Sequence, residues 1–294
     1  MNTIGIIGFG SLGRSLAEAL KNSGRLSWLM IRDESKHESA RYLQVPILKD
    51  IAQISHDQDA IILAIPDKEI QGIVLEIHRI FSGDNTCSII HCSGALRKNI
   101  LNGTNSMLKG ISMHPFQSVK SHADLEGTPW GIECEEEERA EISELILTLN
   151  GLPFFLDEHT IELKALYHAT AVISANFLTI LTAYSSELAK RANIPPELFL
   201  PKIQSTVLER AHDALNKKES IISGLTGPLI RMDESTILAN RKAIQSIQGM
   251  DELYCSMCKA GIELLVKEEV LTSEQGNRLF ELLLEMPSDG QNAS

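Results

Sequence analysis

Lys164 and His168 stand four residues apart in LKALYHATAVISANF (residues 163–177), which puts them on one line of a helix. Either side chain can hand a proton to an oxygen that gains charge as a carbonyl is reduced. Asn176 follows two turns on, about 80° round and roughly 12 Å along the axis, as an orienting group or an interhelical hydrogen bond. Ser93 in IIHCSGAL and His114 in GISMHPF end apolar runs and are further candidates. Each has a plainer reading. Ser93 suits a turn or helix cap, His114 a turn before Pro115, His168 a satisfied core histidine, and Lys164 a surface lysine at a helix start. Polar groups on a buried helix are costly unless satisfied, so the surrounding elements decide.

Short apolar runs alternate with helical patterns in the first half. TIGIIG (3–8), LSWLMI (26–31), AIILAIP (60–66), CSIIHCS (87–93) and GISMH (110–114) read as strands. PWGIEC (129–134) and PFFLD (153–157) read as late strands around a helix at 135–150. The intervening helices carry apolar faces, such as Leu12, Leu16 and Leu20, or Ile70, Ile73, Val74 and Ile77. Apolar strands separated by helices predict a parallel sheet covered on both faces, a doubly wound α/β Rossmann-type fold. After about residue 158 no strand pattern remains. One helical pattern runs from 160 to 193, and others cover 196–216, 233–248, 249–268 and 273–285. The reading is an NAD(P)-binding Rossmann domain over 1–157, an all-α substrate and dimerisation domain over 158–286, and a disordered tail at 287–294.

Gly8-Phe9-Gly10-Ser11-Leu12-Gly13 is G-x-G-x-x-G, set between the first strand and the first helix. In that context the motif binds a dinucleotide. Gly8 permits the turn, Gly10 admits the pyrophosphate, Gly13 lets helix and strand pack closely, and the helix N-terminus attracts the phosphates. Ile65 and Pro66, ending the 60–66 strand, form a lip under the cofactor. Arg32 comes first after the second strand, where a cation accommodates a 2′-phosphate, so NADPH is favoured over NADH. Asp33 follows it, and either takes a ribose hydroxyl or makes a surface ion pair.

Ligands of an open α/β sheet bind beyond the carboxyl ends of its strands, which is where Ser93, His114 and the glycine loop fall. The helix bearing Lys164 and His168 starts close to the end of the last strand, near the domain junction. In LTGPLIRMDEST (225–236), Asp233 reads as an N-cap, while Thr226 and Arg231 are able to reach a carboxylate.

Composition narrows the classes. The chain has 294 residues, 43% hydrophobic and 22% charged, with a formal charge of −12. No basic stripe suggests nucleic acid or an anionic membrane as a partner. No leader segment and no uninterrupted apolar run of about 18 residues is visible. Five cysteines, an odd number, argue against a disulfide framework and for a cytoplasmic protein. Cys255 and Cys258 read as buried thiols rather than a metal site, and no metal is expected. The acidic run at 135–138 reads as a helix first turn facing water.

GFGSLG, AIPDKEI, HCSGAL, MHPFQSV, LYHATAVISANF and LTGPLIRMD occur in this order along nearly the whole chain. The set resembles the Rossmann-like family whose C-terminal half is the domain of unknown function 2520, in the 6-phosphogluconate-dehydrogenase-like superfamily. The resemblance implies an NAD(P)-binding domain followed by a helical domain that commonly dimerises. Relatives include pyrroline-5-carboxylate reductase, ketopantoate reductase and β-hydroxyacid dehydrogenases, and some members are proposed as non-classical ketopantoate reductases of pantothenate synthesis. In ketopantoate reductases and β-hydroxyacid dehydrogenases a catalytic Lys is followed four residues later by Asn. Here Lys164 matches the Lys and His168 stands where the Asn would be, which makes His168 the alternative acid or a substrate-orienting group. Arg32 matches the superfamily's usual NADP determinant.

The leading expectation is an NADPH-dependent reductase of a small 2-oxo acid, with ketopantoate first. Lys164 or His168 would protonate the alkoxide, and Ser93 and Asn176 would position the substrate. The alternatives are a cyclic-imine reductase and a dinucleotide-binding sensor without chemistry. The apolar content of the 160–193 helix suggests a homodimer.

Overall fold

The computed structural model describes residues 1–81, 86–119 and 125–285. The segment expected to be a disordered tail lies outside the described residues. Two compact units divide the chain, Met1–Thr182 and from Ala183 onward.

The first unit begins β1 (Ile4–Ile7), α1 (Ser11–Asn22), β2 (Leu26–Met30), α2 (His37–Ala40), β3 (Ile47–Leu48), β4 (Ala60–Leu63) and α3 (Asp67–Ile80). It continues with β5 (Cys87–His91), β6 (Leu108–Pro115), β7 (Pro129–Glu133), α4 (Arg139–Thr148) and β8 (Leu152–Phe155). The eight strands form one sheet in the order β3-β2-β1-β4-β5-β6-β7-β8. Successive strands are added to one side of β1 up to β3 and to the other side from β4 onward, and that switch point between the parallel β1 and β4 opens a crevice beyond the carboxyl ends.

Alternate residues of each strand feed opposite cores, as strand geometry requires. Ile6, Ile62 and Ile90 pack under Leu16 and Leu20 of α1 and Ile142 and Leu145 of α4. Ile7, Ile61 and Ile89 pack under Ile70, Ile73 and Ile77 of α3. Each such side chain contributes about 1.5–3 kcal/mol when fully buried.

The sheet differs from expectation in two places. β3 is two residues long, too short to show a period. β7 pairs antiparallel with β6, while all other neighbours are parallel. β7 is as apolar as its parallel neighbours because it is covered on both faces, so composition did not reveal its direction. The acidic run forms a 3-10 turn, Glu136–Glu138. Glu135 to Glu137 are exposed, but Glu138 is buried and accepts a hydrogen bond from the Glu135 N–H at 2.8 Å.

After β8, Asp157 caps α5 (Glu158–Glu162) by accepting from the Thr160 N–H at 2.7 Å. Leu163, at ψ 24°, interrupts the expected continuous helix, and α6 (Lys164–Ala171) starts afresh. A π-helical segment, Val172–Phe177, joins α6 to α7 (Leu178–Arg191). π segments are rare and frequent at functional sites. Lys164–Arg191 is also long and apolar enough, by length and composition, to cross a membrane. The sequence reading missed this because Thr, Ser and Asn interrupt the apolar run without adding charge.

The α/β pattern ends close to the expected 157/158 boundary, but the compact unit extends through Thr182 because α5 and α6 pack with it. The second unit contains α8 (Pro196–Lys217), α9 (Glu234–Ile244), α10 (Met250–Lys267) and α11 (Ser273–Leu284). Ile237, Ile262, Leu265 and Leu279 form its core, and Cys255 and Cys258 fill it as small apolar groups whose thiol pKa values burial raises. Buried Arg241 holds Asp251 through Nε and Nη2 at 2.9 and 3.0 Å. Asp233 caps α9 by accepting from the Thr236 N–H at 3.1 Å. Thr226 and Arg231 are exposed in the preceding loop.

Candidate active site

The glycine loop follows β1. Gly8 has φ 105°, and a Cβ there would overlap the Ala64 carbonyl oxygen at the end of β4. A Cβ on Gly13 would overlap the Gly8 carbonyl, whereas one on Gly10 would meet nothing within 4 Å. Gly8, Gly10 and Gly13 thus have the geometry of the turn, open-approach and packing roles in that order. No side chain caps α1, so the first-turn N–H groups, from Ser11 and Leu12 onward, are left for the oxygens of a ligand. Phe9 is buried beneath the Arg14 guanidinium, 5.0 Å from its ring centroid. Gly8, Gly10, Arg32, Ile65 and Pro66 line one cavity of about 280 Å³, together with Lys36 and Glu69. This open, uncapped cradle fits a dinucleotide.

Arg32 points into that cavity region but is engaged, with Nη1 3.0 Å from Glu69 Oε2. Asp33 is engaged locally. It accepts from the Ser35 N–H at 3.1 Å and the Ser35 hydroxyl at 2.6 Å, and the Ser35 hydroxyl leads in holding its carboxyl below the usual range.

Along the same rim, Ser93 serves as a cap. Its hydroxyl accepts from the Ala95 and Leu96 N–H groups at 3.2 and 3.1 Å and donates to Asp67 Oδ2 at 2.7 Å. That bond ties the β5 turn to the start of α3. The buried His91 Nδ1 accepts from the Ser93 N–H at 3.2 Å, and burial lowers its pKa to about 4.

Gly94, next in the turn, makes room for two imidazoles. A Cβ there would lie 2.7 Å from both His114 Nε2 and His168 Nδ1. The two rings stand 6.0 Å apart, and Tyr167 Oη is 2.9 Å from His114 Nδ1. Gly131 of β7 faces His114 across the antiparallel pair, and a Cβ on it would overlap the Tyr167 hydroxyl. Burial lowers the His114 pKa to about 4, with the nearby His168 adding to the effect, and raises that of Tyr167. His114 is therefore neutral near pH 7. His168 Nδ1 is buried without a hydrogen-bond partner, a costly state. A cleft of about 390 Å³ is lined by His114, His168 and Asn176, with Gln117, Thr170 and Ser174 among its other polar residues. Its far wall is the π segment.

Lys164 is not a surface lysine. It is 3% exposed, and Nζ donates to Glu133 Oε2 at 2.9 Å and Ser112 Oγ at 2.7 Å. Burial lowers its pKa from the lysine range, while the Glu133 carboxylate pulls it back up. Lys164 fastens the start of α6 to β6 and β7 and does not line the cleft, and nor does Ser93. The structure thus brings together His114, His168 and Asn176 and leaves Ser93 and Lys164 behind them. Sequence reasoning missed Tyr167, Glu133 and Gly94. The available signal was Tyr167 beside His168; Glu133 inside an apolar strand was a second.

Residues 2–115 match the Rossmann-like domain family, and residues 128–260 match the domain of unknown function 2520. No curated protein sequence matches the chain. Among solved structures, a candidate NADP oxidoreductase from Bacteroides fragilis is similar at 24% identity and TM-score 0.71, covering 88% of this chain and 97% of that one. A Thermotoga maritima protein is similar at 22% identity and TM-score 0.64, covering 91% and 100%. A pyrroline-5-carboxylate reductase from Coxiella burnetii is similar at 19% identity and TM-score 0.56, covering 96% and 98%. At these identities the likeness concerns the fold, and the two family models match separate stretches, residues 2–115 and residues 128–260.

Proposed function

We propose that the chain is an NADPH-dependent oxidoreductase that reduces a carbonyl or imine of a small molecule, with ketopantoate the first 2-oxo acid to test. The observation that carries this reading is the buried, unpartnered His168 Nδ1 beside Gly94, on the strand rim that also holds the open glycine cradle. The Gly8–Gly13 loop and the start of α1 would hold the pyrophosphate, Arg32 the 2′-phosphate, and Ile65 and Pro66 the lip. The nicotinamide, when bound, supplies the hydride. His168 would give or orient the proton that the reduced atom takes up, and the Tyr167–His114 pair would hold its ring in place. Ser174 and Asn176 would orient the substrate by hydrogen bonds. Lys164 would be a strut rather than the acid.

An imine reductase is the second reading. The cleft lining includes no Lys or Arg among the described residues, so a substrate carboxylate would find no such cation there. A cyclic imine can arrive protonated and needs less from a protein acid. The fold likeness to a pyrroline-5-carboxylate reductase also supports it.

A panel of 2-oxo acids, ketones and cyclic imines, followed by NADPH absorbance, tests the proposal. Turnover that falls about 10²–10⁴-fold in His168→Ala is expected for a lost acid. Tight NADPH binding with no turnover across the panel would favour a sensor and reject an enzyme.

A further inference from the structure

The cavity beyond β2 holds charges of both signs, Arg32 and Lys36 against Asp33 and Glu69. Asp33 is committed to Ser35 in its own turn. Glu69 is not part of that turn. It sits in the first turn of α3, where the helix N-terminus favours an acid. Among the described residues it pairs with Arg32, at 3.0 Å through a single guanidinium nitrogen. The side chains are 61% and 37% exposed, so water screens the pair and little free energy opposes its opening. A phosphate carries more charge than a carboxylate and offers a guanidinium two parallel bonds.

We propose that Glu69 is an internal competitor for the 2′-phosphate: it holds Arg32 when the cofactor is absent, yields it on binding, and takes it back as the cofactor leaves. The inference rests on the reading of Arg32 as the 2′-phosphate determinant. Glu69 then acts twice against the bound phosphate, by claiming its cation and by repelling its charge. It lowers affinity for NADPH and quickens release, and leaves NADH untouched because NADH has no phosphate there.

Binding titrations with NADPH, NADH and 2′,5′-ADP on wild type, Glu69→Gln, Arg32→Ala and the double variant test this without turnover. Glu69→Gln should tighten NADPH and 2′,5′-ADP about three- to ten-fold and slow NADPH release in proportion. NADH binding should stay the same, and in the Arg32→Ala background Glu69→Gln should keep only the smaller part of the NADPH gain that comes from lost repulsion. Arg32→Ala that weakens NADPH while Glu69→Gln changes nothing, or tightens NADH equally, would overturn the competitor alone. Arg32→Ala that binds NADPH like wild type would remove the Arg32 assignment and the competitor with it.

Discussion

The Lys164 ammonium stands 2.9 Å from the Glu133 carboxylate, and both side chains are almost completely withdrawn from water. Removing one partner of such a pair strands the other charge, at a cost of about 3–5 kcal/mol. Lys164→Met should therefore shift urea denaturation strongly to lower concentration. Lys164→Met/Glu133→Gln should recover part of the loss, since the Gln oxygen still accepts from the Lys98 N–H that now reaches Glu133 at 3.0 Å. As a strut, Lys164 is dispensable once the fold is restored. A double variant that folds well yet turns over about a hundred-fold slower would return the acid role to Lys164.

Gly94 has no spare room. Its Cβ would meet two imidazole nitrogens at 2.7 Å, and neither ring retreats without losing its place. Gly94→Ala should lower kcat by at least about ten-fold, while NADPH affinity changes far less, because the glycine cradle lies elsewhere on the rim. Gly131→Ala should do similar harm by displacing the Tyr167 hydroxyl from His114, and Tyr167→Phe should reproduce it. Unchanged kcat in both glycine variants would show that the two histidines do not work as a fixed pair.

The cofactor cradle was legible because its geometry is local. Gly8, Gly10 and Gly13 serve a single turn, and their spacing alone states each requirement. Ser93 and His114 were legible as rim positions because a strand's end predicts location. Their roles were not, because these depend on Asp67 and Tyr167, which the chain brings from 26 residues before and 53 residues after. The burial of Lys164 was hidden for the same reason. Its partner Glu133 lies on the strand whose direction reverses, and no periodicity shows that.

His91 and His114 each have a pKa lowered to about 4 by burial, against 6.5 for an exposed histidine. Between those values the unfolded chain binds protons that the folded chain refuses, so stability falls as pH drops from 6.5 towards 4 and is unaffected by these groups above 6.5. Each histidine adds up to about 1.4 kcal/mol of loss per pH unit within the window. Denaturation midpoints measured from pH 7 to pH 4 should fall, and less steeply in His114→Gln. An identical slope in that variant would mean that other groups carry the acid sensitivity.

Leu166, Ile173, Phe177 and Ile180 are 64%, 60%, 51% and 49% exposed and are spaced seven, four and three residues apart, as one stripe along α6, the π segment and α7. An apolar stripe of this length is unusual on a free surface and marks a contact. A second copy of the chain is the expected cover, because the same stripe on both copies forms a self-complementary interface about a two-fold axis. Light scattering at micromolar concentration should give a dimer mass, and Ile173→Glu/Ile180→Glu should give a monomer. The same helix meets the length and composition test for crossing a membrane, and this offers the opposing outcome. Protein that stays with membranes until detergent releases it, or wild type that is monomeric in solution, would count against the dimer.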